Sequence, residues 1–281
     1  MVDNLAQITA CAVTPDQILP YVSSVSGLKS ELCRNFVLHH GEGYGVLIGY
    51  ANDGSDTCQG LDEAVAEALA RKDINHLTVI APKKPGLAPE DADVKRDSYW
   101  LLSLPCAGKG QKLRNMLKRA RREVEIVQGS GRNSWTSEHA RLAADLCQKK
   151  GPAIEPGTKY IFEHLDSYLE NAPDAVLFSA FNENGKLAGC AIGDYSALNT
   201  AFYMFAFRAE YAPPGVADLL LEAVIAEAEG RGHGLVNLGL GIDGGIEFFK
   251  KKWGATPALP CVETVWEIRR KPVSWLKKLF G

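Results

Sequence analysis

The sequence of 281 residues contains no Cys-x-x-Cys pair, and none of its seven cysteines has a histidine nearby at the spacing of a metal site. Their odd number and scattered positions predict reduced thiols rather than a disulfide framework. No apolar run is long enough to span a bilayer, and Met1 to Leu5 lack the basic and then apolar layout of a signal peptide. These absences predict a cytoplasmic protein without a transmembrane segment or a metal centre.

An excess of positive charge is also missing. The formal net charge is −3 and the sequence pI is about 6.1, which argues against a dedicated nucleic-acid-binding protein, although a local basic face remains compatible with these values. Hydrophobic residues make up 46% and charged residues 23% of the chain, as in ordinary globular proteins. A chain of this length holds one large or two medium domains.

A glycine-rich segment that runs into an aromatic and cationic one, residues 239–254, is the clearest candidate for a site. The residues from Leu235 to Leu240 alternate apolar and small side chains as a strand does, so the glycines fall at and beyond a strand end. Ligands in α/β proteins bind at such places. The Gly244-Gly245 pair also lets the backbone turn sharply or approach a ligand closely.

Strand-like and helix-like segments alternate on both sides of Gly108, which predicts an α/β protein of two units, residues 1–107 and 108–281. Asn182 to Gly185 predicts a hairpin turn, and the helical period from Val216 to Glu229 predicts a helix that packs one stripe on a sheet. The predicted strands are 36–39, 44–50, 77–81, 99–104, 124–127, 175–181, 187–193, 201–207 and 235–240, and the predicted helices are 15–25, 61–71, 137–149, 159–169 and 216–229.

Three motifs, taken in their order along the chain, resemble the Fem-type (FemABX-like) peptidyltransferases of the GNAT acyltransferase superfamily. The first is a helix with spaced arginines and lysines from Lys112, which follows a strand at Tyr99. The second joins the hairpin at Gly185 to the ligand-loop helix Pro214-Gly-Val-Ala-Asp. The third is the closing motif Phe249-Lys-Lys-Lys-Trp-Gly254, of the form F-K-x-x-[FW]-G.

The resemblance implies an α/β (α+β) fold of tandem GNAT-like domains, with mixed central sheets flanked by helices, and a reaction that passes an acyl group to an amine. In GNAT enzymes the loop before the central helix gives backbone N–H groups to the pyrophosphate of coenzyme A. Pro213 to Ala217 occupies that place, with Gly215 as the substrate-binding residue. This loop has no basic residue, and its two prolines remove two N–H donors. The acyl donor stays open between an acyl-coenzyme A and an aminoacyl-tRNA.

The closing motif carries the expected chemistry. Lys250 lies where many GNAT enzymes have a tyrosine that acts as an acid, and by resemblance to the Fem-type enzymes it would stabilise the oxyanion of a tetrahedral intermediate. Phe249 is a candidate for substrate contact, or packs inward with Trp253. Lys251 and Lys252 are interpreted as a solvated helix face.

Two further residues complete the candidate catalytic set. Tyr203, on the strand that should flank the acyl-binding cleft, either hydrogen-bonds to substrate or belongs to the core. Asp243, with Glu247 beside it, either takes a proton from the attacking amine or caps the helix that follows.

A basic run from Lys109 to Arg122 contains seven positive residues and no acid. Such uniform positive charge favours the binding of an anion, because arginine binds phosphate bidentately. A charge run is also typical of a solvated helix face. Arg114, Lys118 and Arg121, spaced i, i+4 and i+7, are the residues expected to bind the phosphate of an acceptor at the junction of the two units.

These features predict an acyltransferase that acts on an amine of an anionic small-molecule or nucleotide-linked acceptor, with tRNA as a partner that fits the basic helix. The alternative is a GNAT-like protein that has lost catalysis and binds an anionic ligand or a membrane surface. Residues 269–280 mix basic and large apolar side chains, which is typical of a peripheral membrane contact or of a short docking tail. Turnover of an acyl donor would separate the two functions.

Overall fold

The computed structural model describes residues 2–52, 58–106, 108–153 and 156–268. Within these residues the chain forms eleven strands and nine α-helices. The strands are β1 (Lys29–Cys33), β2 (Phe36–Gly41), β3 (Gly43–Ile48), β4 (Ile74–Ala81), β5 (Asp93–Ser103), β6 (Val124–Gly129), β7 (Ala175–Asn182), β8 (Leu187–Asp194), β9 (Thr200–Arg208), β10 (Leu235–Leu240) and β11 (Thr256–Glu267). The helices are α1 (Val2–Ala10), α2 (Leu19–Ser26), α3 (Leu61–Ala70), α4 (Gln111–Glu123), α5 (Ser137–Lys150), α6 (Pro156–Glu163), α7 (Leu165–Asn171), α8 (Val216–Gly230) and α9 (Gly244–Lys252).

All eleven strands belong to one sheet, whose order is β1-β2-β3-β4-β11-β5-β10-β9-β8-β7-β6. Within this sheet β3–β4 and β9–β10 are parallel, and the other neighbours are antiparallel. The pattern of antiparallel and parallel pairs is the same when the sheet is followed inward from β1 and from β7. In each direction three antiparallel strands lead to a parallel pair, and the next strand comes from the other half of the chain. The sheet is therefore a tandem repeat in which the halves interleave β5 and β11.

The predicted fold class, a mixed α/β protein with helices on its sheet, is confirmed by this architecture. The boundary between residues 107 and 108 stays a prediction. The sheet continues across it, because β11 of the second half lies between β4 and β5 of the first.

Each predicted strand and helix overlaps an observed one, although β5 begins at Asp93 instead of Tyr99, and two of the helices differ in kind. The helix predicted over 15–25 is a 3₁₀ turn at Pro15–Gln17 followed by α2, and the helix predicted over 159–169 is divided into α6 and α7. Pro20 explains the first break, since it has no N–H with which to bond the carbonyl of Asp16. Helix α1 and strands β1 and β11 were not predicted.

The largest core lies in the second half, where α5, α7 and α8 cover β7, β8 and β9, and α4 packs on α8 and β6. Helix α8 supplies its apolar stripe, including the fully buried Val216, Leu221 and Val224, as its periodicity predicts. A second core lies under α3. In the part of the chain described above, no helix has the length and apolar character needed to cross a membrane.

Candidate active site

A cleft opens in the sheet where strands β9 and β10 separate. The two parallel strands pair only as far as Phe202 and Asn237, although β9 runs on to Arg208 and β10 to Leu240. The space between their free edges is a cleft of about 590 Å³. The equivalent pair of the first half, β3 and β4, stays paired to the last residue of β3. The cleft is therefore a feature of the second half of the repeat.

Asn237 explains why the strands separate. Its side chain is fully buried, its Oδ1 accepts a hydrogen bond from the N–H of Gly239 at 2.8 Å, and its Nδ2 donates to the carbonyl of Val13 at 2.8 Å. Gly239 has a left-handed φ of 77°, which residues with a Cβ rarely adopt. The register of β10 against β5 also shifts after Asn237. Strand β10 consequently bends where the cleft begins.

Lys250 forms part of the cleft wall, and its ammonium is buried. The residue is 4% exposed, and its Nζ donates hydrogen bonds to the carbonyl oxygens of Gly239, at 2.9 Å, and Leu240. Burial lowers the pKa of Lys250 from 10.5 to about 8, while the carboxylates of Asp97 and Glu247 act in the opposite direction. The side chain is therefore mostly charged at neutral pH, and within the described part of the chain two of its three N–H donors have partners, which leaves one for a ligand.

The turn between β10 and α9 is held from outside the cleft by Asp97. Its carboxylate accepts hydrogen bonds from the N–H groups of Gly241, at 3.0 Å, and Ile242, at 3.1 Å. Ile242 has a φ of 60°, a strained conformation for a β-branched residue. The two carbonyls that bind Lys250 directly precede this turn, so Asp97 helps to place the lysine.

Asp243 caps helix α9 and does not line the cleft. Its carboxylate accepts hydrogen bonds from the N–H groups of Gly245, at 2.9 Å, and Ile246, at 3.0 Å. The bond from Ile246 is the main cause that lowers the pKa of Asp243. Its side chain is 52% exposed, and its Oδ2 lies 3.8 Å from Nζ of Lys150. Of the two roles weighed for Asp243, the structure shows the cap.

Tyr203 and Phe249 both lie in the cleft wall with Lys250. The hydroxyl of Tyr203 is buried and has no hydrogen-bond partner among the described residues, and burial raises its pKa, to which the Asp218 carboxylate adds. Phe249 is half-buried and packs against the main core. Three of the residues predicted from sequence, from two separate elements, are thus brought together.

Gly215 lies under the basic helix instead of in the cleft. It is the N-cap of α8 with a φ of 92°, and a Cβ built on it would lie 2.8 Å from Cγ and 3.0 Å from the carbonyl oxygen of Met116. Helix α4 therefore packs directly on the end of α8 where the resemblance expected a pyrophosphate. Ala217, two residues further on, does line the cleft.

The first turn of α8 also carries a buried carboxylate. Asp218 is 4% exposed, accepts a hydrogen bond from Nε1 of Trp253 at 2.9 Å, and forms an ion pair with the ammonium of Lys252, with 2.6 Å between Oδ1 and Nζ. The interpretation of Lys252 as a solvated lysine is therefore wrong, because this side chain reaches across to α8. Lys251, in contrast, is 59% exposed.

The basic residues of α4 do not line the cleft. Arg121 is paired with Glu222 of α8, which also binds Lys109 at 2.8 Å. Arg114 donates to the carbonyl of Lys109, just before the helix, and to the side chain of Gln111, and Lys118 is exposed. Because the apolar side of α4 faces α8, the structure separates the three predicted phosphate-binding residues from the cleft. The exposed cations on the outer face of α4 are Lys112, Arg114, Lys118, Arg119 and Arg122.

The sequence did not indicate the opposite wall of the cleft, which comes from the first half of the chain. Asp16, Tyr21 and Tyr99 line it there. Their sequence signal is weak, since Thr14-Pro-Asp is typical only of a turn. Among the described residues no group of histidine, cysteine, aspartate and glutamate could hold a metal ion. The basic and apolar segment 269–280 lies outside the described residues.

The family of the chain follows from the fold, the cleft and the position of the closing motif. Residues 111–251, half of the chain, match the family model of the acetyltransferase (GNAT) domain. The protein belongs to the GNAT acyltransferase superfamily, as the three motifs predicted. A search of curated proteins found no match.

Solved structures of three proteins show the same fold at low sequence identity. FemX is 10% identical, with 99% of this chain and 98% of FemX covered and a TM-score of 0.60. The C-terminal domain of a putative lysylphosphatidylglycerol synthetase from Agrobacterium fabrum is 13% identical, with coverages of 94% and 92% and a TM-score of 0.58. A tandem GNAT protein from the clavulanic acid biosynthesis pathway is 12% identical, with coverages of 96% and 96% and a TM-score of 0.55.

Proposed function

We propose that this protein is a Fem-like acyltransferase that passes an acyl group from an ester-linked donor, such as an aminoacyl-tRNA, to a primary amine of a phosphate-bearing acceptor. The observation that carries the proposal is the buried ammonium of Lys250 in the wall of the cleft, next to the free edges of β9 and β10. A fixed positive charge in a site that excludes water stabilises developing negative charge more strongly than it does in water.

The proposed reaction uses the free N–H of Lys250. The amine nitrogen attacks the ester carbonyl carbon, and the carbonyl oxygen gains negative charge. The Lys250 ammonium donates a hydrogen bond to that oxygen, while the carbonyls of Gly239 and Leu240 hold the ammonium in place. The bond from carbon to the ester oxygen then breaks, and the proton lost by nitrogen ends on the leaving oxygen. The product is an amide.

The end of α8 favours an ester donor over coenzyme A. Met116 of α4 lies against Gly215, at the place where GNAT enzymes bind a pyrophosphate. The buried carboxylate of Asp218 follows in the first turn, where it already occupies the positive end of the helix dipole that a pyrophosphate would use. FemX and the lysylphosphatidylglycerol synthetase domain share the fold, and the second name describes a lipid that carries an amino acid. This similarity supports an aminoacyl donor.

The outer face of α4 supports a phosphate-bearing substrate. Its exposed cations lie on a helix that touches the N-terminal end of α8, two residues from the cleft wall at Ala217. Phosphates of a tRNA or of an acceptor would be attracted to this face. The cysteines are all free thiols, which favours a reducing compartment, and we include a cytoplasmic location in the proposal.

The test is acyl transfer by the purified protein. Acetyl-coenzyme A and a set of aminoacyl-tRNAs serve as donors, with phosphoethanolamine and UDP-linked peptides as acceptors. We expect transfer from an aminoacyl-tRNA, and a loss on the order of a hundredfold in maximal rate for Lys250→Met. Lys251→Met, which removes the same charge from the exposed neighbour, is the matched control and should keep the wild-type rate.

Each other outcome has a definite meaning. Transfer from acetyl-coenzyme A alone would overturn the ester donor. Binding of donor or acceptor without transfer would favour the alternative function, a GNAT-like protein that binds an anionic ligand without catalysis. Equal rates for Lys250→Met and the wild type would remove Lys250 from the mechanism.

A further inference from the structure

A short turn of the first half of the chain projects a carboxylate into the cleft of the second half. This turn, Pro15–Gln17, lies between α1 and α2. Asp16 lines the same cleft as Lys250. Among the described residues that line this cleft, Asp16 and Lys250 are the two that carry a formal charge, and seven others are aromatic.

Three buried polar side chains, each from a different element, hold this turn. Gln17 is 0% exposed, and its Oε1 accepts from the N–H of Val13, at 2.9 Å, while its Nε2 donates to the carbonyl of Tyr50, at 3.1 Å. Asn237 is 0% exposed and donates to the carbonyl of Val13. His39 is 1% exposed, and its Nε2 lies 2.8 Å from the carbonyl oxygen of Asp16.

The bond from His39 depends on Pro20. Proline has no N–H to bond the Asp16 carbonyl four residues earlier, so this oxygen accepts from His39 instead. Burial lowers the pKa of His39 to about 4, and the neutral ring must carry its proton on Nε2, because a carbonyl can only accept. Nδ1 then accepts from the hydroxyl of Ser30 at 2.8 Å. Buried polar groups are costly unless bonded, so this network makes the turn rigid.

The surroundings of the Asp16 carboxylate suit a cation. Oδ2 accepts a hydrogen bond from the hydroxyl of Tyr99 at 2.8 Å. The aromatic side chain of Tyr21 lines the cleft beside it and packs against Phe205, with 5.9 Å between ring centroids. Burial raises the pKa of Asp16, since a carboxylate among aromatic rings has lost much of its hydration. A positive ligand would compensate this charge, and aromatic faces attract cations.

We infer that Asp16, with Tyr21 and Tyr99, forms a recognition site for a primary ammonium group, and that this group is the amine of the acceptor before it releases one proton to water and attacks as the neutral amine. The identity of the ligand as the acceptor rests on the proposed function, whereas the preference for an ammonium group does not. In this arrangement the first half of the chain binds the amine, and Lys250 of the second half binds the acyl carbonyl. The cleft is incomplete without both halves.

The test measures the binding of two small probes of similar size, n-butylammonium and the uncharged n-butanol, by protein NMR titration near neutral pH. Asp16→Asn keeps the size of the side chain and an acceptor for the Tyr99 hydroxyl. Asp174→Asn makes the same change at a carboxylate that is 52% exposed and pairs with Arg231, and it serves as the matched control. The wild type and the control should bind the ammonium at least about tenfold more tightly than the alcohol. Asp16→Asn should bind the two probes equally.

A preference for the ammonium that survives in Asp16→Asn would overturn the inference, as would its absence from the wild type. If Asp16→Asn does not fold, Asp16→Ser supplies the same comparison. The outcome is separable from that of the proposed function. If the protein transfers acyl groups but shows no Asp16-dependent preference for the ammonium, only the inference is refuted. If it shows that preference but has no transferase activity, only the proposed function is refuted.

Discussion

Replacing Lys250 by methionine should change how the stability of the protein responds to alkaline pH. Burial holds the pKa of Lys250 at about 8 in the folded protein, against 10.5 for a free lysine side chain. Below about pH 8 both states are protonated, and the folded state bears the full cost of the buried charge. Between about pH 8 and pH 10.5 the lysine is protonated more often in the unfolded chain than in the folded protein. The free energy of unfolding therefore rises with pH over this range. Methionine does not titrate.

The magnitude follows from the two pKa values. Their difference, 10.5 minus about 8, corresponds to about 3 kcal/mol at 1.36 kcal/mol for each unit. Raising the pH from about 7 to about 9.5 covers part of the transition and should recover about 2 kcal/mol. The unfolding free energy of the wild type minus that of Lys250→Met should therefore increase by this amount over that range. Other titrating groups cancel in the difference if they are independent of Lys250.

Urea unfolding followed by tryptophan fluorescence at several pH values measures this difference. Lys251→Met is the control, and because its lysine is 59% exposed, its difference from the wild type should stay constant over the same range. A difference between the wild type and Lys250→Met that changes by less than about 0.5 kcal/mol would refute the argument, since the lysine would then titrate normally.

Three other outcomes are expected. The maximal transfer rate should fall as the pH rises through about 8, because the Lys250 ammonium then loses its proton; a pH–rate profile of kcat that stays flat to about pH 9.5 would contradict this role. Changing Arg114 and Lys118 together to alanine should weaken tRNA or phosphate-bearing acceptor binding, most strongly at low salt, whereas Lys29→Ala on the opposite edge of the sheet should not; titrations at two salt concentrations would show it. Asp218→Ala should lower the unfolding free energy by about 3 kcal/mol, because it leaves Lys252 and the Trp253 N–H without their buried partner; Asp218→Asn, which still accepts from Trp253, should cost less, and equal unfolding midpoints for the three proteins would count against this contact.

Local patterns were sufficient to predict most of the elements. The helical period of α8, the hairpin turn at Asn182 to Gly185 and the strand before Gly239 depend on residues close together in the chain, and each is observed. The closing motif identified Lys250 for the same reason, since its residue types and spacing are local. In α4 the apolar residues interleaved with the basic ones, Leu113, Leu117 and Ala120, form its buried side.

Strand β11 shows what local patterns could not supply. Pro257 and Pro260 argue against a central strand, yet β11 lies between β4 and β5, and a register shift next to Pro257 accommodates the irregularity. Its partners are more than a hundred residues away in the chain. No local period encodes pairing at such distances, so the interleaved sheet was not predicted.

The sequence by itself determined the family, the types of most elements and the lysine of the closing motif, because these depend on short-range spacing. Tertiary structure alone decided which charged side chains stay exposed and which are buried or paired. It buried Lys250 within a run of three lysines, bonded Lys252 to Asp218, and paired Lys109 and Arg121 with Glu222. It also brought Asp16 from the first half into the cleft of the second. Burial and ion pairing depend on what packs against a side chain, and those neighbours come from distant parts of the chain.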